Sequence, residues 1–255
     1  MSMKESFLKF YLITLTLFVI SCNQSDFEDL PDSKIYSEDQ AILYDDISYV
    51  GNDIELGIYL DDIASQIRTY KKANPYASDR DIDLFTEKVL KSTNLNRNDL
   101  NSRAYTDMDG YLSSKLNSKE QALYNANKSK ALLCMFNGRL AISYAASNYV
   151  DAVLHNGNGD AFRHTLWNFG MTIDVGSTFA KTWSDAHEYG SVGQPTIERT
   201  MDLFNNNVGI QLGKDYPKTI LHSTFITKSK EKARGGKLYV IKQNKLYWSN
   251  SYGEK

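Results

Sequence analysis

Residues 160–168, with the sequence DAFRHTLWN, decide how the second half of this chain folds. On an α-helix, side chains three and four positions apart lie on the same face. That face would carry Asp160, Arg163, His164, Trp167 and Asn168. Because the neighbouring stretch is apolar, the face is expected to be buried, and a buried charge without a partner costs on the order of several kcal/mol. The charged groups must therefore meet partners from other segments.

Simpler interpretations remain open for part of this face. Asp160 follows Gly159 and can serve as an N-cap that accepts hydrogen bonds from the first turn of the helix. Arg163 can be a structural salt-bridge partner. Neither role explains why His164 and Trp167 share the face, so the stretch remains the first candidate for a functional site.

A second polar cluster, DAHE at residues 185–188, places a histidine next to a carboxylate. His187 can act as a base, and Glu188 can act as an acid or a metal ligand. Adjacent residues on a helix do not face each other, so each is expected to reach a different neighbour. Ser191 stands where the H-E-x-x-H zinc signature requires a histidine. A solvated surface dipeptide is the alternative.

The third cluster lies in MDLFNNNVG at residues 201–209. Asp202, Asn205 and Asn206 share one helical face. Consecutive asparagines are poor helix formers, whereas the apolar residues around them require a packed helix. A helix that forms despite residues of low helix propensity often carries a functional site. The alternative is that the asparagines cap the helix or hydrogen-bond to the backbone. Gly209, one turn further on, can let a second helix approach closely.

The composition indicates a globular core and excludes several classes of protein. The chain has 255 residues, of which 29 are basic and 31 acidic, and its net charge is -2. This balance excludes a highly charged disordered chain and a strongly basic nucleic-acid-binding protein, so no nucleic-acid partner is expected. Two cysteines cannot form a disulfide scaffold or a cysteine zinc site. Cys134 is expected to be a buried hydrophobe rather than a nucleophile.

Hydrophobic spacing predicts a mainly α protein, a multi-helix bundle-like domain with a small C-terminal β-hairpin. Residues 41–115 are predicted to form an N-terminal helical segment, irregular over 93–116, and residues 116–255 to form the motif-bearing domain. A capping box at Ser118–Gln121 is predicted to open one helix, and a longer helix follows through Tyr144. The other helices are predicted over 53–72, 79–90, 160–173, 176–188, 196–213 and 218–234, and the strands over 237–242 and 245–248.

The first 22 residues resemble a bacterial lipoprotein signal peptide. Lys4 and Lys9 accompany an apolar run, FYLITLTLFVI, which ends in VISC. The resemblance implies removal of residues 1–21 and lipidation of Cys22, with residues 22–40 as a flexible acidic tether to the membrane. Asn23 does not resemble the aspartate that retains lipoproteins in an inner membrane, so a lipid-anchored protein of the cell envelope, in the outer membrane, is expected. An ordinary signal peptide or a buried starting helix is the alternative.

Together the three motifs resemble a bacterial domain family of unknown function. Its pattern is D-A-x-R-H-x-x-W, then H-E, then M-D-x-x-N-N-x-x-G, and it occurs in wall-associated proteins and at the ends of some polymorphic toxins. The resemblance covers roughly residues 116–248 and implies a shared pocket without a known reaction. Phe204 departs from the pattern, since the family often carries histidine there. The residues that would line the pocket are Asp160, Arg163, His164, His187, Glu188, Asp202, Asn205 and Asn206.

The chemistry that these groups favour is hydrolysis of an ester or phosphodiester bond by direct attack of water. A histidine would be the general base, because its reference pKa of about 6.5 lies near neutral pH. An aspartate would orient the imidazole, Arg163 would hold an anionic group, and the asparagines would donate to an oxyanion. The candidate catalytic residues are His164, His187, Glu188, Asp160 and Asp202, and the candidate substrate-binding residues are Arg163, Asn205, Asn206 and Trp167.

Two other interpretations of the motifs remain open. In the first, a divalent metal, zinc or manganese, binds to ligands drawn from His164, His187, Asp160 and Asp202. Arg163 on the same face disfavours a cation unless the guanidinium faces the substrate. In the second, the polar faces form a closed hydrogen-bond network that fixes helix packing in a non-catalytic binding or structural lipoprotein. A toxin-like effector is suggested only by where the family occurs. The sequence leaves the substrate open among small molecules, lipids and cell-wall polymers.

Overall fold

The computed structural model describes residues 54–93, 107–219 and 221–255, and every structural statement below concerns these ranges. The predicted signal peptide at residues 1–21, the lipidation site Cys22 and the predicted tether at 22–40 lie outside the described residues. So do residues 94–106, which make up most of the stretch predicted to be irregular.

Nine α-helices and a two-stranded antiparallel hairpin make up the described part of the chain, which confirms the predicted fold class. The helices are α1 (Ile54–Ala73), α2 (Asp79–Ser92), α3 (Met108–Ser113), α4 (Ser118–Ala126), α5 (Lys128–Asn148), α6 (Asn158–Val175), α7 (Ser177–Gly190), α8 (Thr196–Asp215) and α9 (His222–Arg234). The strands are β1 (Tyr239–Lys242) and β2 (Lys245–Trp248). None of the described helices is both long enough and apolar enough to span a membrane.

Helix α6, which carries the DAFRHTLWN stretch, is the centre of the fold. It packs against α5, α7, α8 and α9, and all of its residues from Asn158 to Ile173 are buried. A helix buried on every side is normally apolar all round. This helix also buries Asp160, Arg163 and His164, so neighbouring elements must satisfy these polar groups, as the sequence predicts.

Two glycines of α8 allow it to lie directly against α6. A Cβ atom at Gly209 would stand 2.3 Å from the backbone oxygen of Thr165, and one at Gly213 would stand 2.3 Å from the Cβ atom of Thr172. Separations this short leave no room for a side chain. The prediction that Gly209 lets a second helix approach closely is confirmed, and the approach brings the polar faces of α6 and α8 together.

The helices before residue 94 share the core of the motif-bearing domain. Helices α1 and α2 pack on α5, and their buried apolar residues form one continuous cluster with those of α5 and α6. Arg68 of α1 also forms an ion pair with Asp174 near the end of α6, with 3.0 Å between Nε and Oδ1. Residues 54–93 therefore support α6 and do not build a core of their own.

The capping box at the start of α4 is displaced by one residue from the predicted Ser118–Gln121. The side chain of Asn117 accepts from the backbone N–H of Glu120 at 3.0 Å, and Glu120 accepts from the backbone N–H of Asn117 at 2.9 Å. Asparagine caps a helix as well as serine does, so the local pattern does not distinguish the two registers. The displacement matters because it makes Glu120 a member of the capping box, and the carboxylate of Glu120 is buried in the interior.

Helix α6 begins at Asn158, with Gly157 as its N-cap, so Asp160 lies inside the first turn and is not the cap. Its first residue is tied to a distant part of the chain. The side-chain amide of Asn158 donates to Oδ1 of Asn250 at 3.0 Å and to the backbone oxygen of Tyr252 at 2.9 Å. The C-terminal part of the chain therefore completes the start of this helix. Helix α9, in contrast, begins later than the predicted residue 218, at His222.

The C-terminal hairpin forms as predicted around Gln243 and Asn244. Their φ angles are 48° and 58°, the conformation that a two-residue type I′ turn requires. Asn205 of α8 holds the hairpin through Tyr239 of β1. The N–H of Tyr239 donates to Oδ1 of Asn205 at 2.9 Å, and its backbone oxygen accepts from Nδ2 at 3.0 Å. This side chain therefore pairs with the edge of β1 much as a neighbouring strand would.

Candidate functional site

Three atoms of metal-ligand type, contributed by two helices, meet inside the domain. Nε2 of His164 lies 3.4 Å from Oδ1 of Asp160 on the same helix and 3.3 Å from Oδ1 of Asp202 on α8. The nitrogen and the two carboxylate oxygens all lie within 4.8 Å of one another. These distances confirm the predicted convergence of the first and third motifs. We call Asp160, His164 and Asp202 the ligand triad.

Asn206 fixes the orientation and the tautomer of His164. Nδ2 of Asn206 donates to Oε1 of Glu188 at 2.8 Å, so its Oδ1 is the atom that lies 3.0 Å from Nδ1 of His164. Asn168 donates to the same Oδ1 at 2.6 Å. Because an amide oxygen only accepts, Nδ1 of His164 carries the hydrogen. Nε2 then faces the two aspartates, in the arrangement usual for a metal-ligating histidine, and also lies 3.3 Å from Nη2 of Arg163.

Glu188 brings the second motif into the same network. One of its carboxylate oxygens accepts from Asn206, and the other accepts from Nε2 of Gln194 at 3.1 Å. Gln194, in the loop between α7 and α8, also donates to Oδ2 of Asp202 at 2.8 Å. Glu188 therefore holds the amide group of Asn206 in place, and Gln194 links Glu188 to Asp202 of the ligand triad.

Arg163 balances part of the charge at Asp160. Its Nη2 and Nε donate to Oδ1 of Asp160 at 2.6 and 3.2 Å. Oδ2 accepts from the backbone N–H of Asn156 at 2.6 Å. Burial alone would raise the pKa of Asp160, but the guanidinium and the imidazole of His164 outweigh burial and hold that pKa well below its usual range. Asp160 is therefore ionised.

Asp202 is the least satisfied member of the ligand triad. Its Oδ1 is buried and accepts no hydrogen bond from any group in the described ranges. Burial raises the pKa of Asp202 well above its usual range, and the carboxylates of Glu188 and Asp160 add to this shift although His164 opposes it. Oδ1 lies at ion-pair distance from Nε2 of His164, 3.3 Å, but without hydrogen-bond geometry, and a buried carboxylate oxygen that accepts no hydrogen bond is costly. A cation at this point would satisfy it.

The surroundings of His164 argue against its predicted role as a general base. Burial lowers the pKa of the imidazole, but the carboxylates of Asp202 and Asp160 outweigh burial and raise this pKa to about 9. In the absence of a cation the ring is therefore protonated at neutral pH, and a protonated imidazole cannot take a proton from water. A cation that displaces this proton would turn Nε2 into a ligand.

The spacing and charge of the ligand triad fit a divalent cation. Metal–ligand distances of about 2.1 Å place neighbouring ligand atoms about 3.0–3.4 Å apart, and the two separations from Nε2 of His164 are 3.3 and 3.4 Å. Asp160, Asp202 and Glu188 carry three carboxylates, and Arg163 balances one of them. If a divalent ion displaces the proton of His164, the three carboxylates and Arg163 leave two negative charges at the site, which matches the charge of that ion.

Comparison with known families places this site in a region without an assigned reaction. A domain of unknown function, DUF6973, is found at residues 121–237. This DUF6973 domain contains all three motifs and the whole ligand triad. No solved structure matches the chain to a significant degree.

His187 lies inside the DUF6973 domain but outside the ligand triad. Its Nδ1 is 2.8 Å from Oε1 of Glu120, which lies one residue before the matched region. Burial lowers the pKa of His187, but the Glu120 carboxylate outweighs burial and raises it. The prediction that His187 and Glu188 reach different neighbours is confirmed, because the first contacts Glu120 and the second contacts Asn206.

Three residues of the DUF6973 domain that are predicted to contact substrate bind other parts of the protein in this structure. The amide groups of Asn205 and Asn206, predicted to donate to an oxyanion, donate to the backbone of Tyr239 and to Glu188. Trp167, predicted to contact substrate, is fully buried and donates its indole N–H to the backbone oxygen of Cys134 at 3.0 Å. Cys134 itself is buried, as predicted. Trp167 therefore packs beside the rings of His164 and His187, with 6.3 and 5.2 Å between ring centres.

Two residues that complete the network, Glu120 and Gln194, belong to none of the three motifs. The capping box before α4 is the one local signal for Glu120, and the register predicted for that box, one residue too late, does not include Glu120 as its acidic member. Gln194 lies in a short loop, where no pattern marks it. Both residues meet the motifs only through the packing of helices far apart in the sequence.

Proposed function

We propose that the DUF6973 domain of this protein is a divalent-metal-dependent hydrolase of ester or phosphodiester bonds. The observation that supports this function is the buried meeting of His164, Asp160 and Asp202, in which Oδ1 of Asp202 lacks a donor among the described groups. One imidazole and two carboxylates suit zinc or manganese. A divalent cation lowers the pKa of bound water and polarises the oxygen of an ester or phosphoryl group.

The protein's own groups position this site. Asn206, supported by Glu188, keeps Nε2 of His164 directed at the two aspartates. Arg163 is the cationic side chain in contact with the ligand triad, and a planar guanidinium attracts phosphate and carboxylate groups. In the structure this guanidinium is buried and donates to Asp160, so an anionic substrate such as a phosphodiester would share it with Asp160.

Metal binding should stabilise the protein, and the effect should depend on Asp202. Adding Mn²⁺ or Zn²⁺ to the EDTA-treated full chain should stabilise it by about 2.7 kcal/mol at roughly 100 times the Kd, measured by thermal unfolding. The substitution Asp202→Asn should remove this response and any metal-dependent hydrolysis of bis-p-nitrophenyl phosphate. Because burial, together with Glu188 and Asp160, disfavours the carboxylate of Asp202 by more than His164 favours it, the metal-free variant should be at least as stable as the wild type.

A matched substitution separates the metal site from a general effect of lost charge. Asp185→Asn also removes one carboxylate from a motif, but Asp185 pairs with Lys181 near the surface. Its response to metal should equal that of the wild type. The proposal fails if no tested cation stabilises the wild type and Asp202→Asn destabilises the metal-free protein by about 2 kcal/mol, the effect expected when a buried hydrogen-bonded group is lost.

That outcome would support the second candidate, a non-catalytic structural network. The burial of the site favours this candidate, since no side chain of the ligand triad is more than 8% exposed. A closed network of this kind can specify helix packing without any reaction. The buried Oδ1 of Asp202, which accepts no hydrogen bond from the described groups, favours the metal site instead.

The proposed location of this activity is the outer membrane of a bacterial cell envelope, with the domain anchored by lipid. The lipoprotein-like sequence ending at Cys22 supports this location and suggests a lipid, a cell-wall polymer or a small molecule as the substrate. Expressed in a bacterium with a labelled palmitate analogue, the wild type should incorporate label, and Cys22→Ser should not. Equal labelling of both proteins would contradict anchoring at this residue.

A further inference from the structure

The C-terminal hairpin presents its second strand away from the domain. Strand β1 lies against α8 and α6, and Asn205 and Asn156 bind the backbone of Tyr239 and Ile241. Val240 is buried in a small cluster with Ala161. Strand β2 pairs with β1 in an antiparallel register. The hairpin is therefore fixed through β1, and β2 forms its outer edge.

Aromatic side chains on and beside β2 are exposed although the strand is firmly held. Trp248 is 55% exposed, and Tyr247 is 43% exposed. Trp248 nevertheless packs on Tyr239, with 4.6 Å between ring centres, and Tyr239 packs on Phe204 at 4.1 Å. Tyr252, which follows the hairpin, is also 55% exposed. Successive side chains of a strand point to opposite faces, so Trp248 and Tyr247 stand on the two sides of the outer edge, and β1 holds the edge in place.

The same hairpin carries positive charge without local compensation. Residues 235–253 contain three lysines, Lys237, Lys242 and Lys245, and no acidic residue, in a chain whose net charge is -2. Side chains in the described ranges form no ion pair with any of the three. Lys242 and Lys245 stand directly opposite each other in the strand register, an arrangement of like charges that destabilises a hairpin. An anionic surface would relieve this repulsion.

We propose that the C-terminal hairpin is a contact site for the surface of an anionic lipid bilayer. Tryptophan and tyrosine favour the membrane–water interface because their rings are apolar and their polar atoms remain hydrated. Lys242 and Lys245 share a face of the hairpin with Tyr247, and lysines near a membrane surface are attracted to anionic headgroups. The positive charge of the hairpin complements such a surface. A purely polar polyanion would also attract the lysines, but it offers no apolar region for the aromatic side chains. This inference does not depend on the proposed hydrolase activity.

Trp248 provides a direct test in the full chain. The protein has three tryptophans, and the other two, Trp167 and Trp183, are fully buried. Mixed phosphatidylcholine–phosphatidylglycerol vesicles should shift the fluorescence of the wild type to shorter wavelength, and brominated lipid should quench it. The variant Trp248→Phe should show neither effect. Membrane binding by the N-terminal segment alone would leave the emission unchanged.

The charge requirement is tested with matched double substitutions. Lys242→Gln combined with Lys245→Gln should weaken vesicle binding about 25-fold, since each lysine near an anionic surface contributes a factor of about five. Lys88→Gln combined with Lys91→Gln, on the exposed side of α2, should have little effect. The proposal is overturned if Trp248 shows no shift and no quenching. It is also overturned if pure phosphatidylcholine vesicles or an oligonucleotide produce the same shift as the anionic vesicles.

Discussion

Replacing Gly209 with alanine is expected to destabilise the protein by about 3 kcal/mol and to remove its response to metal. The added Cβ would stand 2.3 Å from the backbone oxygen of Thr165 and 2.9 Å from the Cβ atom of Asn168. Backbone cannot move aside as a flexible side chain can, so α6 and α8 must separate, and overpacking of this kind costs about 1–3 kcal/mol or more. Denaturant unfolding measures the loss of stability.

The same separation should disturb the site itself. Asn206, on α8, contacts His164 and Asn168 of α6 at 3.0 and 2.6 Å, and these contacts cannot survive a large displacement of the helices. Gly57→Ala is the control, because the added Cβ there would meet only the flexible side chain of Arg139, at 3.1 Å or more. Equal stability and equal metal response in both variants would show that the close helix contact is unimportant.

Glu120→Gln is expected to destabilise the protein by about 3 kcal/mol at pH 6, because it removes the buried carboxylate that pairs with His187. Glutamine retains the capping role of this position, so the variant tests the charge alone. Glu120 raises the pKa of His187 above its unfolded value of about 6.5. The ion pair therefore contributes fully below that pH, and its contribution disappears as the pH rises through the folded-state value.

Urea unfolding of both proteins over a series of pH values measures this difference. The gap in the free energy of unfolding between wild type and Glu120→Gln should narrow as the pH rises from 6 to 9. Asp185→Asn, which removes a carboxylate from a more exposed pair, should change the free energy of unfolding by less than about 1 kcal/mol. A gap that is constant with pH would show that His187 does not titrate against Glu120.

The ligand triad shows how far local sequence patterns reach. Helical spacing places Asp160 and His164 on one face, and the cost of burying unpaired charge requires them to find partners. The same reasoning marks Asp202 on a later helix. What local spacing cannot give is the distance between two helices, since that depends on how their surfaces pack. Gly209 was the one residue that signalled the contact in advance, and the structure confirms it.

The neighbours of the triad show where such reasoning ends. Glu120 lies 67 positions from His187, and nothing near either residue indicates that they meet. Asn205 and Asn206 were assigned to one face and one role, but successive residues on a helix differ by about 100° in direction. One therefore holds the hairpin while the other holds His164. Position on a helix identifies which residues are buried, and tertiary packing decides what each one binds.

The tie between Asn158 and the C-terminal part of the chain affects when the protein can acquire an ion. Asn250 and Tyr252 follow Asn158 by 92 and 94 positions, so a ribosome or a secretion channel releases Asp160 and His164 long before the residues that complete their helix. A nascent chain therefore lacks an assembled cation site. If the protein is exported and binds a cation, as proposed, this delay means that the ion supply of the compartment in which it folds, rather than that of the cytosol, determines which metal it binds.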